Sequence, residues 1–309
     1  MERFDRLADL PRPEGGSAVT IGFFDGVHLG HRAVLDRTVV RAHELGLPSV
    51  AVTFDRHPRE ILTPGREPRL LTTVETKASL IADRGIDRLL VLPFTADVAA
   101  WEPARFVREV LVDALGARSV SVGANFTYGN RAAGTVETLL DEGPAAGFAA
   151  ERVELVDLVG RRVSSSSIRS ALAEGDLAWP ARALGRRYAV EGIVVSGAGR
   201  GHGLGYPTAN LETSPRLLLP ANGIYAGHAS CDGVEAIAAV SVGTNPTFGS
   251  EPLHVEAYLL DYDGDLRGRA IRVEFWERLR DEARFDSVEE LVAAMDVDVA
   301  RTRGIVGAA

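Results

Sequence analysis

Apolar residues are grouped along this chain in two different ways. Up to about residue 180 they form short unbroken runs, Ser17–Ile21, Ser49–Phe54, Leu89–Leu92 and Ser119–Val122. An unbroken run of this length reads as a strand covered on both faces, the habit of a buried parallel sheet. Helical stretches separate the runs: His31 to about Leu45, Val74 to Asp83, and Pro103 to Leu115. The second opens on Thr72-Thr73-Val74-Glu75, a capping-box pattern. The third has Pro103 in its first turn and Gly116 beyond its end, each where helix geometry favours it. Alternation of this kind predicts an α/β domain with an open, doubly wound sheet, whose ligands bind beyond the carboxyl ends of the strands.

After about Arg187 the pattern changes. Tyr188–Val195, Glu235–Val242, Val255–Leu260 and Arg269–Phe275 read as strands separated by turns rich in glycine, proline and asparagine. The next predicted helix is Ser287–Met295. Several strands at short spacing predict a small antiparallel barrel or sandwich. The change of pattern puts a boundary near 183–188, giving domains 1–185 and 186–309. No long linker, repeat or low-complexity tract intervenes.

Composition narrows the functional classes. The 309 residues carry 46% hydrophobic and 25% charged side chains, a core-forming balance for two domains of ordinary size. A net charge of −9 argues against broad nucleic-acid binding. No apolar run reaches membrane-spanning length, and Met1-Glu2-Arg3-Phe4-Asp5 does not read as a signal peptide. A single cysteine, Cys231, suits a reducing cytoplasm. Lys77 is the sole lysine, and no GxxxxGK[ST] motif is present. Any phosphate must therefore rest on arginines, histidines, hydroxyls and backbone N–H groups, although genome composition alone would also produce an arginine bias. The seven histidines show no metal-triad spacing.

The first apolar run leads into Gly22-Phe23-Phe24-Asp25-Gly26-Val27-His28-Leu29-Gly30-His31. A strand, a glycine-rich turn and a helix start, in that order, direct free N–H groups and the positive end of the helix dipole at one point. Glycines 22, 26 and 30 let a polyphosphate approach the backbone. His28 and His31, three apart, would share one helix face. This reads as a nucleotidyl-transfer site; an ordinary strand-to-helix turn with two surface histidines is the plainer alternative. Farther on, Gly123-Ala124-Asn125-Phe126-Thr127-Tyr128-Gly129 follows a strand and offers an amide and two aromatics, either for an aromatic ligand or as a turn over core rings. Arg162-Val163-Ser164-Ser165-Ser166-Ser167-Ile168-Arg169 opens another helix, with four hydroxyls between two arginines. It is either a second anion-binding helix start or a simple cap. Thr53-Phe54-Asp55-Arg56-His57-Pro58 is a further strand-end loop able to border the same crevice.

In the second half, Gly197-Ala198-Gly199-Arg200-Gly201-His202-Gly203-Leu204-Gly205 precedes Tyr206-Pro207-Thr208-Ala209-Asn210. Glycine density alone also marks mobile hairpin loops. Thr208 and Asn210, two apart on a strand, present a hydroxyl and an amide oxygen on one side. Such neutral oxygens suit Mg²⁺, which keeps much of its water and takes phosphate oxygens from a substrate. Glu256, in the alternating strand His254–Leu260, is either surface-facing or catalytic.

Taken in order, these motifs closely resemble the bacterial bifunctional riboflavin kinase/FAD synthetases over nearly the whole chain. The adenylyltransferase pattern GxFDGxHxGH is carried by Gly22 to His31. Gly123, Asn125, Phe126 and Gly129, with Tyr128 at an aromatic position, match a second motif, and Ser164, Ser165, Ile168 and Arg169 a third. The flavokinase pattern GxxxGxPTAN runs from Gly201 to Asn210, Pro220–Ala226 is similar to PxxGVYA, and Val255-Glu256-Ala257 with Asp261 resembles the segment bearing the kinase base. The resemblance implies a nucleotidyltransferase Rossmann-like domain followed by a six-stranded flavokinase barrel. It implies ATP as co-substrate with Mg²⁺, and riboflavin, FMN and FAD as substrate, intermediate and product. His28, His31 and Glu256 would be catalytic. Gly22, Phe24, Asp25, Gly26, Gly30, Asn125, Arg162, Ser165, Ser166, Arg169, Gly199, Gly201, Gly205, Thr208 and Asn210 would bind nucleotide, with Thr208 and Asn210 also holding the metal. Phe54, Pro58, Phe126 and Tyr128 would contact the flavin. Small molecules are the expected partners, with no nucleic acid or membrane; self-association and delivery to apoflavoproteins are left open. Three positions depart from the usual pattern: Ser166 for threonine, Arg56 for proline and Arg267 for tyrosine.

Overall fold

A computed structural model describes residues 1–197, 203–244 and 253–308. Gly199 and Gly201 lie outside the described residues. The chain forms two compact units, Met1–Ser165 and Ser166–Ala309.

The first unit is built on a six-stranded sheet of β1 (Glu2–Phe4), β2 (Ser17–Ile21), β3 (Ser49–Phe54), β4 (Arg88–Leu92), β5 (Ala117–Gly123) and β6 (Ala149–Val153), in the order β1-β4-β3-β2-β5-β6. Every neighbouring pair is parallel. All five residues of β2 are buried, as its unbroken apolar pattern requires. Alternate residues feed opposite faces: Val50 and Val52 join a core with Phe106, Val110, Leu111 and Leu139, while Ala51 joins another with Leu35, Ala78 and Ile81. Each large side chain so buried contributes about 1.5–3 kcal/mol. The helices on one face are α1 (Leu29–Leu45), which supplies Leu35, and α2 (Val74–Ala82), which supplies Ala78 and Ile81. Leu139 on the other face comes from α3 (Val136–Ala146).

Two helical expectations need correcting. The stretch expected as one helix over 103–115 is a single α-helical turn, Pro103–Phe106, running into a π-helical segment, Val107–Ala114. Its buried residues Phe106, Val110, Leu111 and Leu115 recur at four- or five-residue intervals, which a wider helix keeps on one face. In α2 the N-cap is Thr73, whose hydroxyl accepts from Thr76 N–H (3.1 Å), so Thr72 and Glu75 form no capping box. Thr72 is used elsewhere, at the turn after β2.

Lys77 is buried with its ammonium inside the first unit. Its Nζ donates to the carbonyls of Phe23 and Phe54, each at 3.0 Å, and lies 4.5 Å from the Phe23 ring centre. Burial pushes the amine down to about 8, against the opposing pull of Asp25 and Asp55.

The second unit begins with two helices, α4 (Ser165–Ala173, whose first residue belongs to the preceding unit) and α5 (Ala178–Leu184). A closed antiparallel barrel follows: β7 (Tyr188–Val195), β8 (Thr208–Thr213), β9 (Gly223–Cys231), β10 (Val234–Gly243), β11 (His254–Leu259) and β12 (Ala270–Arg280), ordered β7-β8-β11-β10-β9-β12. Closure selects the barrel over the sandwich. Strand β9 escaped the apolar pattern because its inward positions are mostly small. A Cβ at Gly227 would collide with the Glu274 carbonyl of β12, so a bulkier residue would hold the two strands apart. Register shifts at Ile224/Tyr225 and Ala226/Gly227 bend β9 against β12, as barrel closure demands.

The last helix, α6 (Val288–Val306), caps one flank of the barrel and extends well past the expected end at Met295. Its apolar periodicity is broken by Asp298, which is nevertheless buried, with the Arg280 guanidinium donating to its carboxylate at 2.7 and 3.0 Å. An inward-facing aspartate ends the readable pattern without ending the helix.

Asp298→Ala strands the Arg280 charge and should cost the barrel about 3 kcal/mol in urea unfolding followed by circular dichroism. A loss below about 0.5 kcal/mol would put the pair among weak surface bridges. Lys77 gives a pH-dependent expectation. Between about 8 and 10.5 the unfolded lysine is still protonated while the folded one is not, so wild-type stability should rise with pH across that window. The difference from Lys77→Met should shift towards wild type over the same interval. A pH-independent difference would contradict the burial of a charged amine.

Candidate functional site

Three neighbouring parallel strands, β2, β3 and β5, end on one rim of the first unit at Ile21, Phe54 and Gly123. After β2 the backbone turns sharply through Phe24 (φ 54°), Gly26 (φ 80°) and Val27 (φ 39°). Left-handed geometry suits Gly26 but strains the other two. Both strained residues are buried, and a Cβ on Gly22 would press to 2.7 Å from the Phe24 ring. The Asp25 carboxylate faces inward, accepting the Leu71 N–H (2.9 Å) and the Thr72 N–H (3.2 Å). The Thr72 hydroxyl accepts the Gly26 N–H at 3.1 Å. Asp25 therefore shapes the turn through its side chain.

His28 is the N-cap of α1 and lies outside the helix. Its Nδ1 accepts the His31 N–H at 3.3 Å, and the two rings stack at 3.6 Å between centres, 17° apart. The expected pairing of His28 and His31 on one helix face thus arises from a cap folding back over the first turn. A ring accepting at Nδ1 carries its proton on Nε2. A Cβ on Gly30 would crowd the His28 ring at 3.2 Å, so that glycine leaves room for the imidazole.

The serine-rich segment comes to the same turn. Ser165, the first residue of α4, donates its hydroxyl to the Asp25 carbonyl at 2.9 Å, although 140 residues separate them. Ser166 and Arg169 follow within α4. Arg162 sits in a short hairpin and pairs with Asp157 at 2.7 Å. Asn125 is exposed in the turn after β5, where Phe126 N–H donates to the Gly123 carbonyl (2.9 Å).

Aromatic groups line the rim. Phe54 meets Phe94 edge to face at 5.3 Å, and Phe23 meets His57 at 4.9 Å, close to Pro58 in sequence. Phe126 is partly exposed and stacks on Tyr128 at 5.7 Å. Tyr128 is buried behind it, with its hydroxyl 3.2 Å from Thr138, and burial raises its phenol above the ordinary range. Arg56 folds onto Asp55 at 2.8 Å. Burial alone would raise Asp55, but the Arg56 guanidinium and the Phe94 N–H (2.8 Å) hold it below the usual carboxylate range.

The second constellation lies on the outer face of the barrel. Strands β8 and β11 pair with Asn210 opposite Glu256 and Thr208 opposite Tyr258. Thr208 Oγ1 donates to Glu256 Oε2 at 3.1 Å, and His254 Nε2 lies 3.1 Å from Oε1. Asn210 donates weakly to the Thr208 carbonyl at 3.4 Å, leaving its amide oxygen for another partner. A Cβ at Gly197 would collide with the Asn210 amide. Gly205 takes φ +85°, which a side chain would strain. Next to it, Tyr206 donates to Asp296 of α6 at 2.5 Å and packs against Tyr258; that hydrogen bond pushes its phenol up to about 12. Arg267 forks onto Asp265 within its own turn, so this departure is absorbed locally.

Among the described residues no group of three His, Cys, Asp or Glu could hold a metal. Thr208 and Asn210 offer neutral oxygens, the donor set of a hydrated Mg²⁺ shared with phosphate rather than of a tightly caged ion. Sequence reasoning took Thr72 as part of a capping box and Asp55 as part of a strand-end loop, and gave His254 no role of its own. His254 was accessible, standing two residues before Glu256 on an alternating strand.

The FAD synthetase family model matches residues 11–167, and the riboflavin kinase model matches residues 184–306. The bifunctional riboflavin kinase/FMN adenylyltransferase of Pseudomonas fluorescens is 40% identical over 296 residues, covering 95% of this chain and 94% of its own length. The Bacillus subtilis protein of the same name is 33% identical over 295 residues, covering 94% and 92%. A crystal structure described as a macrolide-efflux protein from Streptococcus pneumoniae superposes with a TM-score of 0.86 at 28% identity, covering 97% and 98% of the two chains. That description belongs to that protein; among the described residues here, no helix is long and apolar enough to cross a membrane. Both family models matched in order, together with relatives aligned almost from end to end, establish that the chain belongs to the bifunctional riboflavin kinase/FMN adenylyltransferase family.

Proposed function

We propose that the two constellations carry the two reactions of this bifunctional enzyme separately, in domains meeting near residues 185 and 186. The chain phosphorylates riboflavin to FMN with ATP and adenylylates FMN to FAD with a second ATP, releasing pyrophosphate. The observation that carries the residue assignment is the Ser165–Asp25 hydrogen bond, which brings the first helical residue of the serine-rich segment to the turn after β2.

In adenylyl transfer an FMN phosphate oxygen attacks the α-phosphorus of ATP, and the bond from that phosphorus to the pyrophosphate oxygen breaks. The nucleophile is already anionic, so the task is to neutralise charge growing on the α-phosphate and leaving group. His28 and His31 are assigned as ring donors, with backbone N–H groups at the start of α1 and the Ser165 hydroxyl beside them; Ser166 and Arg169 are assigned to the nucleotide from their motif. Gly22, Gly26 and Gly30 admit the phosphates, Phe24 and Asp25 shape the turn, and Asn125 and Arg162 contact the nucleotide. Phe54, Pro58 and Phe126 flank the flavin, backed by Tyr128.

In phosphoryl transfer the ribityl 5′-hydroxyl attacks the γ-phosphorus, the bond to the β-phosphate oxygen breaks, and the hydroxyl proton passes to Glu256. Thr208 and Asn210 would hold Mg²⁺, which supplies charge neutralisation on the phosphate oxygens when bound. A hydroxyl can donate to Glu256 and still offer a lone pair to a cation, so the Thr208 contact is compatible with both roles. Gly199, Gly201 and Gly205 are assigned to nucleotide binding from their motif. We place the enzyme in the cytoplasm, consistent with its one buried cysteine.

Reciprocal variants test this division. His28→Ala/His31→Ala should slow FAD formation from FMN by about 10²–10³-fold while FMN formation continues. Glu256→Ala should slow FMN formation by about 10²–10⁴-fold while added FMN is still adenylylated. Chromatographic quantitation of both flavins distinguishes the outcomes; simultaneous loss of both activities in either variant would contradict separate sites.

A further inference from the structure

The geometry around Glu256 extends the kinase site beyond the motif residues. On β11 the alternation that buries Val255, Ala257 and Leu259 sends His254, Glu256 and Tyr258 to the outer face. His254 and Glu256 are therefore same-side neighbours on one strand, and their side chains meet at 3.1 Å. Both are half-buried, with side-chain exposures of 22% and 21%.

The chemistry fixes the direction of the two hydrogen bonds. An ionised carboxylate only accepts. With Glu256 acting as a base, His254 must donate from Nε2 to Oε1, and Thr208 donates from its hydroxyl to Oε2. The carboxylate is thus gripped at both oxygens by donors from different strands, β11 and β8. A free glutamate has a broad terminal torsion; here that torsion is set by a donor at each oxygen. Opposite His254 stands Gly243, and the space a Cβ would take there is filled by the Glu282 carboxylate, which accepts the Thr244 N–H (3.0 Å) and the Asn222 amide (3.2 Å).

We propose that His254 is a positioning residue for riboflavin phosphorylation, orienting the Glu256 carboxylate so that Oε2 receives the proton of the ribityl hydroxyl. The proposal rests on the assignment of Glu256 as the base. No new bond is made or broken through His254: it keeps its Nε2 proton, while the substrate proton moves to Oε2 as the new P–O bond forms. Its contribution is orientation, and small displacements of a reacting group carry large rate penalties.

The test uses the full chain, with FMN adenylylation as an internal control of folding. His254→Ala should lower kcat for FMN formation by about 10- to 100-fold, keep KM for riboflavin and for ATP within about twofold, and leave FAD formation from added FMN unchanged. His254→Gln, which returns an N–H donor at similar reach, should recover most of the lost kcat. A His254→Ala enzyme with wild-type kcat would overturn the proposal, as would a loss confined to KM. A Gln variant as slow as Ala would also overturn it. Glu256→Ala, assayed alongside, separates the two ideas: undiminished phosphorylation there defeats the assignment of the base, whereas its loss with an indifferent His254→Ala defeats only the positioning role.

Discussion

The turn from Phe24 to Val27 holds two bulky residues in backbone geometry that costs about 1–3 kcal/mol apiece, and the buried carboxylate of Asp25 is its main restraint. That single side chain ties the turn to Leu71 and Thr72, while its own carbonyl accepts from Ser165. The arrangement depends on this lock. It sets where α1 begins, and so where His28 can cap the helix and stack on His31. It also brings the serine segment to the same strand end. Lys77 stiffens the rim from below by joining the carbonyls of Phe23 and Phe54. Strain at this position fits the proposed adenylyltransferase site, whose backbone donors would be held in place before the substrate arrives.

The second half solves a different problem. Barrel closure buries one face of each strand and leaves the other available, so the groups proposed to be catalytic stand on the outer face in rows set by register. Asn210 faces Glu256 across β8 and β11, and Thr208 and His254 grip the carboxylate from two strands. The first site is made from backbone ends and a helix start; the second is made from side chains on a rigid surface. Each suits its reaction. Attack by a phosphate anion needs donors for growing negative charge, whereas attack by a neutral hydroxyl needs an acceptor for its proton.

Much of this architecture was legible in the sequence because burial on both faces leaves unbroken apolar runs, as at Ser17–Ile21 and Ser49–Phe54. The alternation around Glu256 likewise marked a carboxylate on a strand, either surface-facing or catalytic. What escaped reading depends on tertiary partners. Gly223–Cys231 is a strand because small residues let β12 approach, and α6 continues because Arg280 satisfies Asp298. His28 is a cap rather than a helical residue, and Thr72 serves Gly26 rather than its own helix. The contact between His254 and Glu256 is visible only once the ring and the carboxylate are placed together. In each case the deciding interaction joins residues whose relation local pattern does not reveal.

The most direct test of the central claim is a chromatographic time course of the wild-type protein with riboflavin, ATP and Mg²⁺. Two reactions on one chain predict FMN first, then FAD, with pyrophosphate released in step with FAD. FMN accumulating without FAD, with added FMN also inert, would contradict the assignment of adenylyl transfer to the first unit.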